Sequence, residues 1–278
     1  MNLDAYLARV GLDRRPPPTL QGLKTVHAAH LLRIPYENLD VQLGRPVTIE
    51  RPAIYDKIVN RRRGGWCYEM NGLLGWALGE LGFAVTRTTG AVMRAASGEA
   101  AIANHLVLRV DLDGIIYLAD VGFGDGPFEP FRVVPGPFES GGYTFGLEPL
   151  DGRWWRFTSH PQGAARSFDF DLDAADEARL AAKCGELQTA PDSHFVLNLF
   201  CFARKSGGKY LQLRGRVLRT VTPAGVGERL LESADDLVTT LRDEFTLDIP
   251  EATTLWPKVC ARHEDLFTAQ NDAIAVQH

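Results

Sequence analysis

At Phe83 the spacing of apolar residues changes from a period near 3.6 to a period near 2, and this switch limits the fold more than any other feature of the chain. Before it, apolar positions recur as they do on helices. After it, they alternate as they do on strands. A chain that runs helices first and strands afterwards belongs to the α+β class, with an antiparallel sheet or small barrel following a helical part. With 278 residues, 45% of them hydrophobic, it can bury cores of useful size without disulfides.

In the helical part, Thr19 follows the turn Pro16-Pro17-Pro18 and is placed to cap a helix carrying Leu20, Leu23, Val26, His27 and Leu31. A second helix is expected over "IERPAIYDKIVNRRR", capped by Thr48 and stopped by Gly64 and Gly65, with Pro52 in its first turn. A third is expected from about Trp66 to Leu81, with Met70, Leu73, Leu74, Ala77, Leu78 and Leu81 on one face. Beyond Phe83, "FAVTRTTGAV", "HLVLRVDL", "IIYLADVGF", "YTFGLEPL" and "RWWRFTS" read as strands, with Asp113-Gly114 and Asp151-Gly152 as turns. A polar helix is expected over "DLDAADEARLAAKCGELQ" and another over "SADDLVTTLRDEF". The tail "TAQNDAIAVQH" is only weakly patterned.

Several function classes recede on composition. A net charge of -5 argues against nucleic acid as the main partner. No apolar run reaches the 18 or so residues of a membrane helix, and the start of the chain reads as a short amphipathic helix rather than a leader. Cys67, Cys184, Cys201 and Cys260 form no C-x-x-C pair, so neither a zinc knuckle nor a disulfide framework is indicated, and the simplest address is the cytoplasm. His27 and His30 stand at i, i+3 without a third ligand, so no metal is expected.

Chemistry enters with "NHLVLRVDLDGIIYLADVGFG". If Asp113-Gly114 is a two-residue turn, Leu112 opposes Ile115, and His105 and Asp120 fall on one face as diagonal neighbours roughly 7 Å apart or less. Leu106, Leu108, Val110, Tyr117, Ala119 and Val121 fall on the other face, ready for burial. Such a pair is either a core histidine satisfied by an acid or an imidazole held in one tautomer for catalysis. Cys67 likewise has two readings, and the chain order Cys, His, Asp favours the second. It is a small hydrophobe at a helix start, or a thiol at the positive end of a helix, where cysteines beside His⁺ ionise readily. Gly64 and Gly65 before it let backbone approach a ligand closely.

The residues around these positions resemble one family. "RGGWCYEMN" (Arg63 to Asn71) matches the arylamine N-acetyltransferase signature R-G-G-x-C-x-E-x-N at every fixed position. "IPYENLD", "NHLVL" and "ADVGFGD" follow in that family's order and spacing, and the resemblance weakens over the last 70 residues or so. It implies a helical bundle (1–82) carrying the nucleophile, a β-barrel (83–190) carrying His and Asp, and an α/β lid with its connecting helix (191–278). It implies Cys67, His105 and Asp120 as a catalytic triad in a cysteine-protease-like core. The implied reaction is ping-pong acetyl transfer from acetyl-CoA to arylamines, arylhydrazines or arylhydroxylamines, within xenobiotic metabolism, without a metal. Tyr36, Phe123, Gly124 and Phe195 become expected parts of the acceptor site, Tyr36 standing where the family commonly has Phe. Core packing is the competing reading for the aromatic ones, as a solvated helix end is for CoA contacts at Arg61, Arg62 and Arg63. A related thiol acyl enzyme, an amide synthase or a cysteine hydrolase, would use the same three residues. Nothing in the residues addresses the oligomeric state.

Overall fold

The computed structural model describes residues 1–275, with side chains through residue 266. Its first part holds α1 (Leu3–Val10), α2 (Leu20–Arg33), the short β1 (Tyr36–Glu37), α3 (Leu39–Gln42), α4 (Arg51–Tyr55) and α5 (Cys67–Glu80). Thr19 caps α2 as expected, its side chain accepting from the Gly22 N–H. The second helix differs from expectation. It starts only at Arg51, because the Thr48 hydroxyl accepts from the Glu50 N–H in a local turn. It then widens into a π-helical stretch, Asp56–Asn60, that turns Lys57 inward. Gly64 and Gly65 therefore do not stop it. They are needed for close approach: a Cβ on Gly64 would lie 2.1 Å from the Pro35 carbonyl oxygen, and one on Gly65 2.8 Å from Glu69 Oε2.

The second part is an antiparallel sheet of eight strands: β2 (Ala84–Val92), followed by the one-turn α6 (Arg94–Ser97), then β3 (His105–Leu112), β4 (Ile115–Ala119), β5 (Phe131–Arg132), β6 (Gly136–Ser140), β7 (Tyr143–Pro149), β8 (Trp154–Thr158) and β9 (Ser167–Ala174). The order is β5-β4-β3-β2-β9-β8-β7-β6, so the chain enters mid-sheet and leaves β5 at one edge for β6 at the other. The edges do not pair, so of the expected antiparallel sheet or barrel the structure has a sheet curled into a half-barrel. Its curl still brings the Phe131 and Phe138 rings from opposite edges into a stack at 4.7 Å. β9 takes the first residues of the expected polar helix. "SFDFDLDA" alternates, sending Phe168 and Phe170 into the curled core while Asp169 and Asp171 meet Arg156 and Arg153. The helix itself, α7 (Glu177–Thr189), starts after its cap Asp176.

The hairpin β3–β4 has the expected register, Leu112 opposite Ile115 and Leu108 opposite Ala119. Asp113 and Gly114 turn it with φ of 52° and 74°. Leu108, Val110, Tyr117, Ala119 and Val121 join the core shared with the helices, whereas Val107 and Leu118 join the aromatic core inside the curl. Both faces of this hairpin are thus buried.

The last part carries α8 (His194–Leu197), β10 (Phe200–Arg204), β11 (Tyr210–Arg214), β12 (Val217–Thr222), β13 (Gly225–Leu230), α9 (Ala234–Phe245) and α10 (Trp256–Ala275). Its sheet has the order β1-β10-β11-β12-β13, so β1 from the helical part completes it. The weakly patterned tail continues α10 to Ala275, and its residues 276–278 lie outside the described residues. No described helix is long and apolar enough to cross a membrane, and no group of metal-binding side chains occurs among the described residues.

Candidate active site

Cys67 is the first residue of α5, and the helix begins there because Glu69, two positions on, reaches back to accept from the Trp66 N–H at 3.2 Å. Burial pushes the Glu69 carboxyl up, and Lys57 pulls against that shift with its ammonium 2.9 Å from both oxygens. Lys57 also meets Asp40 at 3.1 Å, and Arg63 meets Glu37 at 2.8 Å and Asp40 at 3.1 Å. Two cations and three carboxylates thus tie the start of α5 to β1 and α3, all of them buried. Arg63 has this structural role, and Arg61 pairs with Asp56 at 3.0 Å.

Cys67 is 3% exposed, and its thiol donates to the Asn104 carbonyl at 3.7 Å. Asn104 is itself pinned by two side-chain bonds to the backbone of Val92, and Ala103 before it takes a left-handed conformation with φ of 69°. That turn delivers His105 into β3 with its ring toward Cys67 and Asp120. His105 Nε2 lies 2.8 Å from Asp120 Oδ2. With Nε2 so engaged, Nδ1 is the ring atom left for the thiol. Burial works against a charged ring here. The Asp120 carboxylate and the Cys67 thiol overcome it and push His105 up to about 10.

Asp120 is 4% exposed but not short of donors. Oδ1 accepts from Asn71 Nδ2 at 2.7 Å and from the Gly122 N–H at 2.8 Å. Burial alone would raise this carboxyl, but His105, Asn71 and Gly122 together hold it below the usual carboxylate range. Asn71 also donates to the Leu106 carbonyl and accepts from the Val121 N–H, so it braces both strands under the pair. The residue type alone does not assign Asn71 this bracing role. The available signal was its place one helical turn after Cys67, polar within an apolar helix face.

Phe123 lies against His105, Tyr36 is near enough to Cys67 to feel its charge, and Gly124 lies against Phe202. The Phe123 ring meets His105 edge-on at 6.0 Å and packs on Phe168 at 4.9 Å, against the aromatic core. Burial, and then the charge of Cys67, raise the Tyr36 phenol well above its ordinary value, and its ring meets Phe202 edge-on at 5.6 Å. Gly124 takes φ of 83° beneath the Phe202 ring. Phe195 is set differently: it packs edge-on against Trp66 at 5.0 Å and lies beside His194 and Phe200. Cys184 and Cys201 are buried and Cys260 partly so, as packing residues would be.

Beyond Phe202 opens a cleft of about 600 Å³ between β10–β12 and α10. Arg214, Arg216, Lys258 and Arg262 line it, and among the described residues none of the four pairs with a carboxylate. Burial and the arginines Arg214 and Arg262 push His194, also on its wall, down to about 4, so it adds no charge at neutral pH.

The N-acetyltransferase family model matches residues 19–254. The arylamine N-acetyltransferase of Mycolicibacterium smegmatis is 36% identical over 266 residues, covering 90% of this chain and 93% of that protein. A pineal gland isozyme from Gallus gallus is 32% identical over 233 residues, covering 75% and 79%. Among solved structures, the M. smegmatis enzyme superposes with a TM-score of 0.84 at 34% identity, covering 93% of this chain and 97% of that one. The Mycobacterium marinum arylamine N-acetyltransferase in complex with CoA superposes with a TM-score of 0.83 at 32% identity, covering 94% and 98%.

Proposed function

The chain belongs to the arylamine N-acetyltransferase family, and from that membership we propose that it moves an acetyl group from acetyl-CoA to an arylamine, arylhydrazine or arylhydroxylamine through acetyl-Cys67. Membership makes it an acetyl-CoA-dependent acyltransferase; the route is the proposal. The observation that carries it is the buried His105–Asp120 contact of 2.8 Å set against a thiol at a helix start.

With its pKa pushed up to about 10, the His105 ring holds a proton at neutral pH, which is the countercharge a thiolate needs. Cys67 Sγ attacks the thioester carbonyl, the carbon–sulfur bond to CoA breaks, and CoA leaves as the thiol with the proton from His105. Acetylation removes the thiol that helped hold that proton, so the ring becomes a base suited to the second half. The acceptor nitrogen then attacks acetyl-Cys67, gives its proton to His105 and expels the thiolate. Asp120 stays ionised throughout and orients the ring. Tyr36, Phe123 and Gly124 border the acceptor, with Phe195 supporting the wall from behind Trp66. The cation-lined cleft takes the phosphates of CoA, which supports the donor reading, as does the CoA complex of the M. marinum relative. A cytoplasmic address and a role in clearing foreign amines are part of the same proposal.

Mass spectrometry of the intact protein with acetyl-CoA alone is expected to give one acetyl group on Cys67, released on adding an arylamine and absent in Cys67→Ser. No adduct, or one lost at once to water, points instead to an amide synthase or hydrolase built on the same residues.

A further inference from the structure

The loop from Val121 to Phe128, between β4 and β5, packs against β10 and β11 of the five-stranded sheet. At its start, a Cβ added to Gly122 would lie 2.7 Å from Cys67 Cα, so loop backbone presses on the cysteine itself. Further along, Gly124 lies under the Phe202 ring. Among the described residues the N–H groups of Phe123 and Gly124 donate to no protein acceptor, and they follow directly on Gly122, which touches Cys67, with the Phe123 ring against His105.

The far end of the loop is gripped by side chains from distant segments. Asp125 Oδ2 accepts from Gln212 Nε2 at 3.0 Å and from the Ala164 N–H. Arg204 Nη2 donates to the Gly126 carbonyl. His27 on α2 sets its two ring nitrogens 3.3 Å from the carbonyl oxygens of Asp120 and Phe128. Arg204 is 4% exposed, and its guanidinium is held between the rings of Phe128 at 4.4 Å and Tyr210 at 4.9 Å. Among the described residues its Nε and Nη1 meet no hydrogen-bond partner. Burying a cation is costly, and the polar bond that this one makes is to the loop.

We propose that Arg204 and Asp125 are positioning residues for acyl transfer, fixing the glycine loop so that the N–H groups of Phe123 and Gly124 meet the acyl oxygen on Cys67. This rests on the reading of Cys67 as the acetylated nucleophile. A tetrahedral oxyanion is stabilised only by donors already in place, and a misplacement of about 1 Å costs on the order of 100-fold in rate. Alkylation of the same thiol develops no such oxyanion.

The test compares two reactions of Cys67 in Asp125→Asn, Arg204→Met and Arg204→Lys. One is single-turnover acetylation by p-nitrophenyl acetate, a donor without phosphates; the other is alkylation by iodoacetamide. Acetylation is expected to slow roughly 10- to 100-fold in Asp125→Asn and Arg204→Met, with alkylation within about 2-fold of wild type. Arg204→Lys is expected to recover part of the loss, since an ammonium can reach the same carbonyl. Acetylation that is unchanged, or that falls in step with alkylation, overturns the proposal. Should Arg204→Met fail to fold, the near-isosteric Asp125→Asn decides. Wild-type protein that forms no acetyl-Cys67 overturns the underlying reading instead, and this one with it.

Discussion

Asp120 carries more of the site than its single negative charge suggests. One oxygen orders the His105 ring and the other holds Asn71 and the Gly122 N–H of the glycine loop. An amide in its place would present a donor to Asn71 or to the ring and leave the imidazole without a countercharge. Asp120→Asn is therefore expected to melt lower than Cys67→Ser, which alters one atom. The difference depends on pH. His105 is raised above its unfolded value, so its contribution is full below about 6.5 and is lost as pH climbs toward about 10. Asp120 is lowered, so its contribution is present above about 3.9 and is lost as pH falls through the folded value. Thermal melts should show the widest gap between wild type and Asp120→Asn from about pH 4 to 6.5, narrowing toward pH 10. A gap that does not vary with pH would sink this account.

At the scale of elements, the hairpin and the start of α5 meet with little slack. The hairpin register was legible because backbone geometry alone sets which residues face each other across a two-residue turn. The bounds of the second helix are not legible in the sequence for the opposite reason: they answer to partners elsewhere. The π-helical turn carries Lys57 inward, and the ammonium holds Glu69, whose other task is to accept from the Trp66 N–H beside Cys67. Lys57→Met would take the Lys57 ammonium from the buried Glu69 and leave Glu37 and Asp40 to Arg63, with Arg45 3.8 Å from Asp40. Denaturant titration should find a loss of about 3–5 kcal/mol. Activity at low temperature should fall as well, because the helix start loosens. A stability change under about 1 kcal/mol would mean that the cluster is incidental.

At the scale of the whole molecule, the cleft exists only because the last sheet and α10 close against each other, with β1 from the first part as the sheet's outer strand. The cations that pair with no carboxylate among the described residues come from β11, the turn after it and α10. If they hold CoA phosphates, Arg214→Ala should raise KM for acetyl-CoA roughly 10-fold, the worth of one charge-assisted contact. It should also weaken the salt dependence of that KM and leave turnover of p-nitrophenyl acetate alone. Equal effects on both donors would place the phosphates elsewhere.

By itself the sequence determined the α+β order, the third helix, the hairpin with His105 and Asp120 on one face, and the nine-residue signature ending at Asn71. Each of these follows from spacing within one segment, where the backbone leaves few choices. Only the tertiary structure decided the open curl of the sheet, the grip of His27 and Arg204 on the glycine loop, the charge cluster beneath Cys67 and the cationic cleft. Those depend on contacts between segments far apart in the chain. No periodicity specifies which buried charge finds which partner; that choice is made when the segments are desolvated together.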